Sequence, residues 1–488
     1  MFKFVKNNPL ASFLFLLAFI VGVYTRIVMP QLAYTEFQGD QSNESFVHSK
    51  ILDQGLVPYG PASSIGKYFL PGGYYTLQFL FSFGSSNPHL HLLSNSIFSL
   101  LTIPLFGFLI YRAFNSFKNS FLVASFASLL WSIFACDIFF AGFQWNPNSV
   151  TFFWMLLTVN FELLYSKVLL GKIANLAWTM QGLILGILIS LHSSSMFIIP
   201  LIFAVNTFYI SFKQKSHKWI WGILGFVLIM LPYLLAEIQS NFQNTVNIFD
   251  TVFTQAKVSH TLAEKLNHFL EPVEALANQV YFSQTNMPLL SFALVLITIV
   301  LCFIFYNGRQ FYLANYILLL GLFLLASNNY WGGLYRHFMV LVWSVPLFCA
   351  VSLIFSISQI QFKKYISIGL LVLGFSFFTQ QSLEGIHNIY QNKFGINRAV
   401  NIADMNLALS KVPDNQTICS NGYGNSLKYL NYINKGIIKT QTNCKILDLE
   451  FVENYKTNDF NRTYKNDYDL KNKNIFYKSD AFTIVKLK

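Results

Sequence analysis

The chain has 488 residues, of which 54% are hydrophobic and 11% are charged, and its mean hydropathy is +0.46. Soluble proteins carry about 25% charged residues, so this composition excludes a soluble enzyme, a disordered protein and a disulfide scaffold, and indicates a polytopic membrane protein. The net charge of +12 is typical of basic loops on the cytoplasmic side of a membrane, and we expect no nucleic-acid partner.

Long apolar runs predict the membrane spans, since a helix needs about 20 apolar residues to cross the bilayer. Eleven runs are predicted as spans: 9–29, 90–111, 119–138, 148–165, 173–191, 195–212, 219–236, 288–306, 311–327, 337–357 and 365–380. The first run follows Lys3 and Lys6 but lacks a clean small-x-small cleavage site. We interpret it as an uncleaved anchor rather than a signal peptide.

The distribution of Lys and Arg predicts which loops are cytoplasmic. With the N-terminus in the cytoplasm, every inner loop carries a basic residue, whereas the short outer loops 139–147 and 192–194 carry none. This orientation places three long segments outside: 30–89, 237–287 and 381–488. We therefore expect a multi-pass cell-membrane protein that works on the outer face, where ATP and nucleotide sugars are absent.

The long outer segments differ in their patterns. Helical spacing of apolar residues predicts a helix over 42–54 that lies on the membrane surface, and aromatic residues predict a second interfacial helix within 68–83. The amphipathic segment 237–287 is typical of a helical lid lying on the membrane.

The polar tail predicts a small α/β domain of its own. A helix is expected at 397–411, and strands are expected in TICS, GIIKT, IFYK and FTIVKLK. The predicted organisation is thus a transmembrane domain over 1–380 and an extracytoplasmic domain over 381–488. Cys419 and Cys444 lie in this tail, and a disulfide between them is an open alternative if the compartment is oxidising.

Ionisable residues collect at the predicted outer boundary of the membrane, where such groups are functional candidates. They are Asp40, Glu44, Lys67, Asp137, His192, Glu237, Arg336 and His337. No two carboxylates have a spacing that forces them together, so a divalent metal is possible but no metal ligand can be assigned.

The carboxylates each have two interpretations. Asp40 is a candidate general base, because a partly dry cavity raises the proton affinity of a carboxylate; the alternative is a solvated residue or a helix N-cap. Asp137 is either a metal ligand or base, or a solvated helix terminus. Glu237 marks the outer end of the seventh predicted span.

The basic residues also have two interpretations each. Arg336 and His337 can hold a phosphate or anchor the chain at the lipid headgroups. Lys67 has the same alternatives. His192 opens an HSSS turn and is either functional or a hydrogen-bonded helix cap.

Several outer-side segments occur in a suggestive order: Gly39-Asp40, GLVPYGPASSIGKYFLPGGYYTLQ, QWNPNSVTFF, LHSSSMFIIP, LPYLLAEIQSNF and YRHFMVLVWSVPLF. In this order the chain resembles the GT-C superfamily of membrane glycosyltransferases. The bacterial glycosyltransferase family 39-like branch, related to protein O-mannosyltransferases and the lipid A aminoarabinose transferase, is the most similar. The resemblance covers residues 1 to about 380 and implies a mainly α, polytopic GT-C-type fold.

The resemblance implies roles for individual residues. Asp40 matches the catalytic aspartate of the first loop, and Lys67 with Tyr68 falls near the donor phosphate. Arg336 and His337 match a basic position that contacts this phosphate. Asn146 stands where some relatives have an aspartate before proline, and Asn cannot act as a base. Asp137, Asn146, His192 and Glu237 complete the predicted substrate-binding set.

By resemblance, the expected reaction moves a sugar from a polyprenyl-phosphate donor to a cell-envelope acceptor (a glycan, lipid or protein) with inversion. The alternatives are a transporter or flippase of lipid-linked saccharides, a polysaccharide ligase or polymerase, and a catalytically inactive protein of the same fold. A transporter is expected to carry charges in mid-span and broken helices in repeated halves, and the sequence shows neither pattern.

Overall fold

The structure is a computed structural model. It describes residues 8–30, 39–63, 68–255, 262–281, 287–327, 336–358, 376, 378–390, 402–413, 416–420, 424–433, 439–441, 449–453, 458–459, 462–463, 474–478 and 482–486.

A bundle of long apolar helices forms the larger part of the molecule. Within the described residues, seven helices are long and apolar enough to cross a membrane. They are Pro9–Val23 (α1, continued as a π-helix Tyr24–Val28), Pro88–Phe114 (α4), Gly171–Leu191 (α8), Ser193–Gln214 (α9), Trp219–Gln239 (α10), Pro288–Phe305 (α13) and Gln310–Ser327 (α14). The chain is therefore a multi-pass membrane protein with a mainly α fold.

Three predicted spans have a different form from the one expected. The run 119–138 divides into Ser120–Ser132 (α5) and Ala135–Ala141 (α6), which meet at a bend of 57°. The run 148–165 begins as a 3-10 turn, Asn146–Ser149, before the helix Val150–Tyr165 (α7), and the run 337–357 begins as a 3-10 turn, Arg336–Leu341, before the helix Ser344–Ser358 (α15). Most of the run 365–380 lies outside the described residues.

Glycines allow helices α8 and α10 to touch backbone to backbone. A Cβ atom on Gly182 would lie 1.8 Å from the carbonyl oxygen of Gly222, and one on Gly225 would lie 2.0 Å from that of Thr179. Small residues are the usual means of close helix packing in membranes. Because α8 ends beside His192 and α10 contains Glu237, this contact sets the relative positions of two candidate site residues.

The long connecting segments add short elements at one end of the bundle. They are the helix Gly39–Gln54 (α2), the strands Tyr59–Ala62 (β1) and Phe69–Pro71 (β2), and the helices Gly73–Phe81 (α3), Gln243–Gln255 (α11) and Leu262–Ala275 (α12). The two strands form an antiparallel hairpin. The predicted helix over 42–54 is confirmed. We expected it to lie on the membrane surface, but about half of its side chains, including Glu44 and His48, are buried within the protein.

The C-terminal part contains a small α/β unit, as the strand-rich tail predicted. Its elements are the helices Ile402–Lys411 (α16) and Gly424–Ile433 (α17) and the strands Thr417–Cys419 (β3), Lys439–Gln441 (β4), Leu449–Glu453 (β5), Asn458–Asp459 (β6), Arg462–Thr463 (β7), Asn474–Lys478 (β8) and Phe482–Lys486 (β9). A mixed sheet has the order β4-β3-β5-β9-β8, in which β3 pairs in parallel with β4 and β5. Cys419 is buried and disulfide-bonded, and Cys444 lies outside the described residues.

An ion-pair cluster closes the far end of helix α7. Glu162 is buried and accepts hydrogen bonds from Arg112, at 2.9 Å from each of two nitrogens, and from Arg309. A buried carboxylate is stable when cations and hydrogen bonds replace its water. This cluster connects α4, α7 and the start of α14, about 18 Å along α7 from its first residue.

Candidate functional site

Asp40 lies in the first turn of helix α2 and is exposed to solvent. A helix begins here because the polar segment GDQSNES provides acidic and amide groups for the first turn, where the helix dipole favours negative charge. Although the carboxylate is accessible, the surrounding protein removes enough water to raise its pKa above the ordinary value. Asp40 is thus an accessible carboxylate with an increased affinity for a proton.

Glu44 lies one turn after Asp40 and is buried, with 1% of its surface exposed. One carboxylate oxygen accepts the backbone N–H of Asn146 at 2.6 Å, and the other accepts the side-chain amide of Gln144 at 3.3 Å. Burial is the main cause that raises the pKa of Glu44 to about 8, and the negative charge of Asp40 adds to the shift. Glu44 therefore attaches the helix that carries Asp40 to the turn around Asn146.

The turn around Asn146 connects α2 to two further candidate regions. The side-chain amide of Asn146 donates a hydrogen bond to the carbonyl of Leu191, at the end of α8. The ring of the preceding residue, Trp145, lies 4.6 Å from the ring of His337. Burial lowers the pKa of His337 to about 4, so at neutral pH this side chain is an uncharged imidazole that can act as a hydrogen-bond donor.

His192 caps helix α9, in agreement with the capping alternative. Its Nδ1 accepts the backbone N–H of Ser194 at 3.2 Å, which leaves the ring proton on Nε2. Burial lowers the pKa of His192 to about 3. Its ring centroid lies 5.9 Å from that of His337, so two neutral imidazoles are neighbours at this end of the bundle.

Tyr68 connects the β-hairpin to the same region. Its side chain is buried, and its hydroxyl lies near the side chains of Ser63, in the hairpin, and Ser193, beside His192. Lys67 lies outside the described residues, as does the side chain of Arg336. The structure thus places Tyr68 near His192 and leaves the contacts of the two predicted cations as predictions.

Glu237 is buried near the end of α10 and supports the hairpin through strand β1. It accepts the hydroxyl of Tyr59 at 2.9 Å and the backbone N–H and hydroxyl of Thr245 at 2.8 and 2.6 Å. Asn244 makes two further hydrogen bonds to the backbone of Phe69, at 2.7 and 3.1 Å. Glu237 holds the hairpin and helix α11 together, and its contacts are those of a supporting group.

Asp137 does not join the other candidates, because it forms a buried ion pair with Arg26. The two side chains are 2.8 Å apart, and Arg26 is 0% exposed. The same carboxylate oxygen also accepts from Ser99 at 2.8 Å and from the indole of Trp131 at 3.2 Å. These contacts connect α1, α4, α5 and α6, and they favour a role in the fold.

Sequence reasoning missed several buried polar residues in and beside α2. His48 and His91 stack with ring centroids 4.0 Å apart, and His48 bonds to Gln78 at 2.8 Å. Glu44 was recognisable only as one of the ionisable residues near the outer boundary. Gln144 gave no signal beyond a polar residue in a short outer loop, and Arg26 gave none beyond a charge near the end of the first predicted span. Their carboxylate partners are 100 and 111 residues away in the chain.

The described residues do not form a metal centre. Among them, no group of three or more His, Cys, Asp or Glu side chains is arranged to hold a metal ion. Both oxygens of Glu44 accept hydrogen bonds, and Asp137 and Glu237 are bound as described above. Of the four carboxylates considered, Asp40 is the one that is exposed to solvent.

Comparison with known proteins shows the fold. No protein-family model and no curated protein sequence matches the chain. Among solved structures, ArnT from Cupriavidus metallidurans bound to undecaprenyl phosphate aligns with 99% of this chain and 98% of its own at a TM-score of 0.53 and 9% identity. The archaeal oligosaccharyltransferase AglB from Archaeoglobus fulgidus, in complex with an inhibitory peptide and a dolichol-phosphate, aligns with 89% of this chain at a TM-score of 0.51 and 12% identity.

A second structure of the Archaeoglobus enzyme, a complex with Zn and sulfate, aligns with 86% of this chain at a TM-score of 0.51 and 13% identity. The aligned part spans 65% and 61% of the two oligosaccharyltransferase chains. ArnT and AglB both belong to the GT-C superfamily. The expected GT-C-type fold is therefore confirmed.

Proposed function

We propose that this protein is a membrane glycosyltransferase that moves a sugar from a polyprenyl-phosphate donor to the hydroxyl group of an acceptor. The observation that carries the proposal is the position of Asp40. Its carboxylate is accessible and has a raised pKa, and the Glu44–Asn146 hydrogen bond connects its helix to the turn that contacts His337 and the end of α8.

The donor class is supported by the fold and by the membrane. One similar structure holds undecaprenyl phosphate and another holds a dolichol-phosphate. Both ligands combine a long apolar chain with a phosphate, so they need a protein that offers a membrane path to a polar site. Here the apolar helices and the polar residues of the candidate site meet at one end of the bundle.

In the proposed reaction the acceptor oxygen attacks the anomeric carbon of the sugar while the bond from this carbon to the phosphate oxygen breaks. Asp40 takes the proton from the attacking hydroxyl group, and the polyprenyl phosphate leaves with the bonding electrons. A general base of this kind contributes about 10²- to 10⁴-fold to a rate. A single displacement inverts the configuration at the sugar carbon.

The leaving phosphate gains negative charge and needs donors placed in advance. His337 is neutral at pH 7 because of its low pKa, so its part is to donate a hydrogen bond. Arg336 and Lys67 are the proposed cations, on the basis of their sequence positions. No step is assigned to a metal, because Asp40 is the one carboxylate of the four that is accessible.

The proposed location is the outer face of the cell membrane, with a cytoplasmic N-terminus and an extracytoplasmic C-terminal unit. The Lys and Arg distribution supports this orientation. An acceptor in the cell envelope, whether glycan, lipid or protein, follows from that location.

The proposal is tested with the full chain in lipid nanodiscs and a panel of polyprenyl-phosphate sugars. We expect one donor to be consumed with release of polyprenyl phosphate, and the product to have the inverted anomeric configuration by NMR. A parallel arm with a chelator decides whether a metal takes part. Binding of donors without turnover would instead favour the transporter or the inactive protein, and a product with retained configuration would contradict the single displacement.

A further inference from the structure

We propose that the C-terminal unit positions helix α2, and with it Asp40, through the side chain of Tyr429. The inference rests on the proposed function only for its effect on turnover, because the contact itself can be measured without any substrate. In this role Tyr429 is a positioning residue, since it acts on the reaction through the helix that carries Asp40.

Tyr429 is buried at the contact between the two units. It lies in helix α17 of the C-terminal unit, with 0% of its surface exposed. Its hydroxyl donates to the backbone carbonyl of Ser86 at 2.6 Å and accepts from the hydroxyl of Ser49 at 3.4 Å. Its ring meets that of Phe46 edge to face, with centroids 4.9 Å apart. One side chain therefore bonds both to α2 and to the connection between α3 and α4.

Helix α2 is held between two bodies. Phe46 and Ser49 lie on the face that meets Tyr429, and Phe46 also packs against the apolar core of the C-terminal unit. Glu44, His48 and Ile51 lie roughly 160° around the helix, given about 3.6 residues per turn. This second face joins the membrane unit through the Glu44–Asn146 bond, the His48–Gln78 bond and the apolar core around Ile51.

Asp40 shares the second face, since it precedes Glu44 by one turn. The membrane unit holds this face through buried polar contacts and the apolar core around Ile51, and the C-terminal unit packs against the opposite face. Loss of the Tyr429 contact would free one side of α2 and allow Asp40 to move relative to the bound sugar. Because small displacements of a catalytic group reduce the rate strongly, we expect kcat to fall while donor binding remains.

The test compares Tyr429→Phe, Tyr429→Ala and the wild type as full chains in nanodiscs. The matched control is Tyr477→Phe, which makes the same chemical change in the same unit, at a residue packed against the same core and near Lys411. Hydrogen exchange of the peptide covering 39–54 is measured for all four proteins, and kcat and KM for the donor are measured for the active ones.

We expect faster exchange of 39–54 in both Tyr429 variants and no change in the control. Because a small displacement of Asp40 reduces the rate, kcat should fall about tenfold in Tyr429→Phe at unchanged KM. If Tyr429→Ala does not fold, Tyr429→Phe decides alone. Wild-type exchange of 39–54 in a folded Tyr429→Phe would overturn the inference. Altered exchange in a protein without any transferase activity would support the positioning contact and contradict only the proposed function.

Discussion

The two ends of the helical bundle hold their carboxylates in different ways. At the end remote from the candidate site, Glu162 is paired with Arg112 and Arg309. At the site end, Glu44 is held by a backbone N–H and an amide, and no described cation pairs with it or with Asp40. A carboxylate fixed by Arg serves the fold, whereas one without a cation keeps the proton affinity that a base needs. The comparison thus separates carboxylates paired with arginine from those without a described cation, and of the latter Glu44 is a buried support whereas Asp40 is exposed to solvent.

The largest effect is expected at Asp137, a predicted site residue that, like Glu162, is paired with arginine. Asp137→Ala leaves Arg26 buried without its partner, which costs about 3–5 kcal/mol of unfolding free energy. We expect little folded protein, measured as yield and thermal unfolding temperature in detergent. The matched control Asp40→Ala removes the same group from an exposed site and should fold like the wild type. A stable Asp137→Ala protein that loses only its activity would move Asp137 into the functional group.

The next effect concerns the close packing of helices α8 and α10 against each other. Gly182→Ala places a Cβ atom 1.8 Å from the carbonyl of Gly222, so helices α8 and α10 must separate. Overpacking of this kind costs about 1–3 kcal/mol. Gly321→Ala is the control, because nothing lies within 4 Å of the added atom and Ala favours the helix by up to about 1 kcal/mol. Equal unfolding temperatures for the two variants would show that the close packing is not needed.

A pH-dependent effect is expected from the titration of Glu44. Its pKa rises from about 4.5 to about 8 in the folded protein, so the folded state keeps a proton that the unfolded chain has lost between these values. This group therefore makes the wild type less stable as the pH rises from about 4.5 to about 8. Glu44→Gln cannot titrate, so its unfolding temperature should decline less over this range. Parallel pH curves for the two proteins would mean that the pKa of Glu44 is not raised in the folded protein.

The smallest effect is expected at the cap of helix α9. His192→Ala removes the acceptor for the Ser194 N–H and should cost about 0.5–2 kcal/mol. His192→Asn offers another good capping side chain and should restore most of the stability. Turnover measured on the same samples separates the roles: if Asn restores stability but not turnover, His192 also acts on the substrate.

Local pattern was sufficient to predict most of the helices and the strands of the tail, because apolar runs and alternation are local signals. Local pattern did not predict where helices break, because contacts between residues distant in the sequence determine this. Pro104, Pro200 and Pro232 lie inside continuous helices, whereas the break between α5 and α6 falls at Ile133 and Phe134, where the sequence has no Pro or Gly.

The candidate site was predicted in part for the same reason. His192 and His337, both from the outer-boundary cluster, lie with their ring centroids 5.9 Å apart, whereas their roles stay predictions. The partners that decide the roles of Glu44 and Asp137 are separated from them by 102 and 111 residues, and sequence spacing carries no information about such contacts.

The most direct test of the central claim is the turnover of Asp40→Asn with a donor that the wild type consumes. The variant keeps the size of the side chain but cannot take a proton. We predict a loss of at least about 100-fold in kcat, with donor affinity and unfolding temperature close to those of the wild type. Wild-type turnover in Asp40→Asn would contradict the assignment of Asp40 as the base.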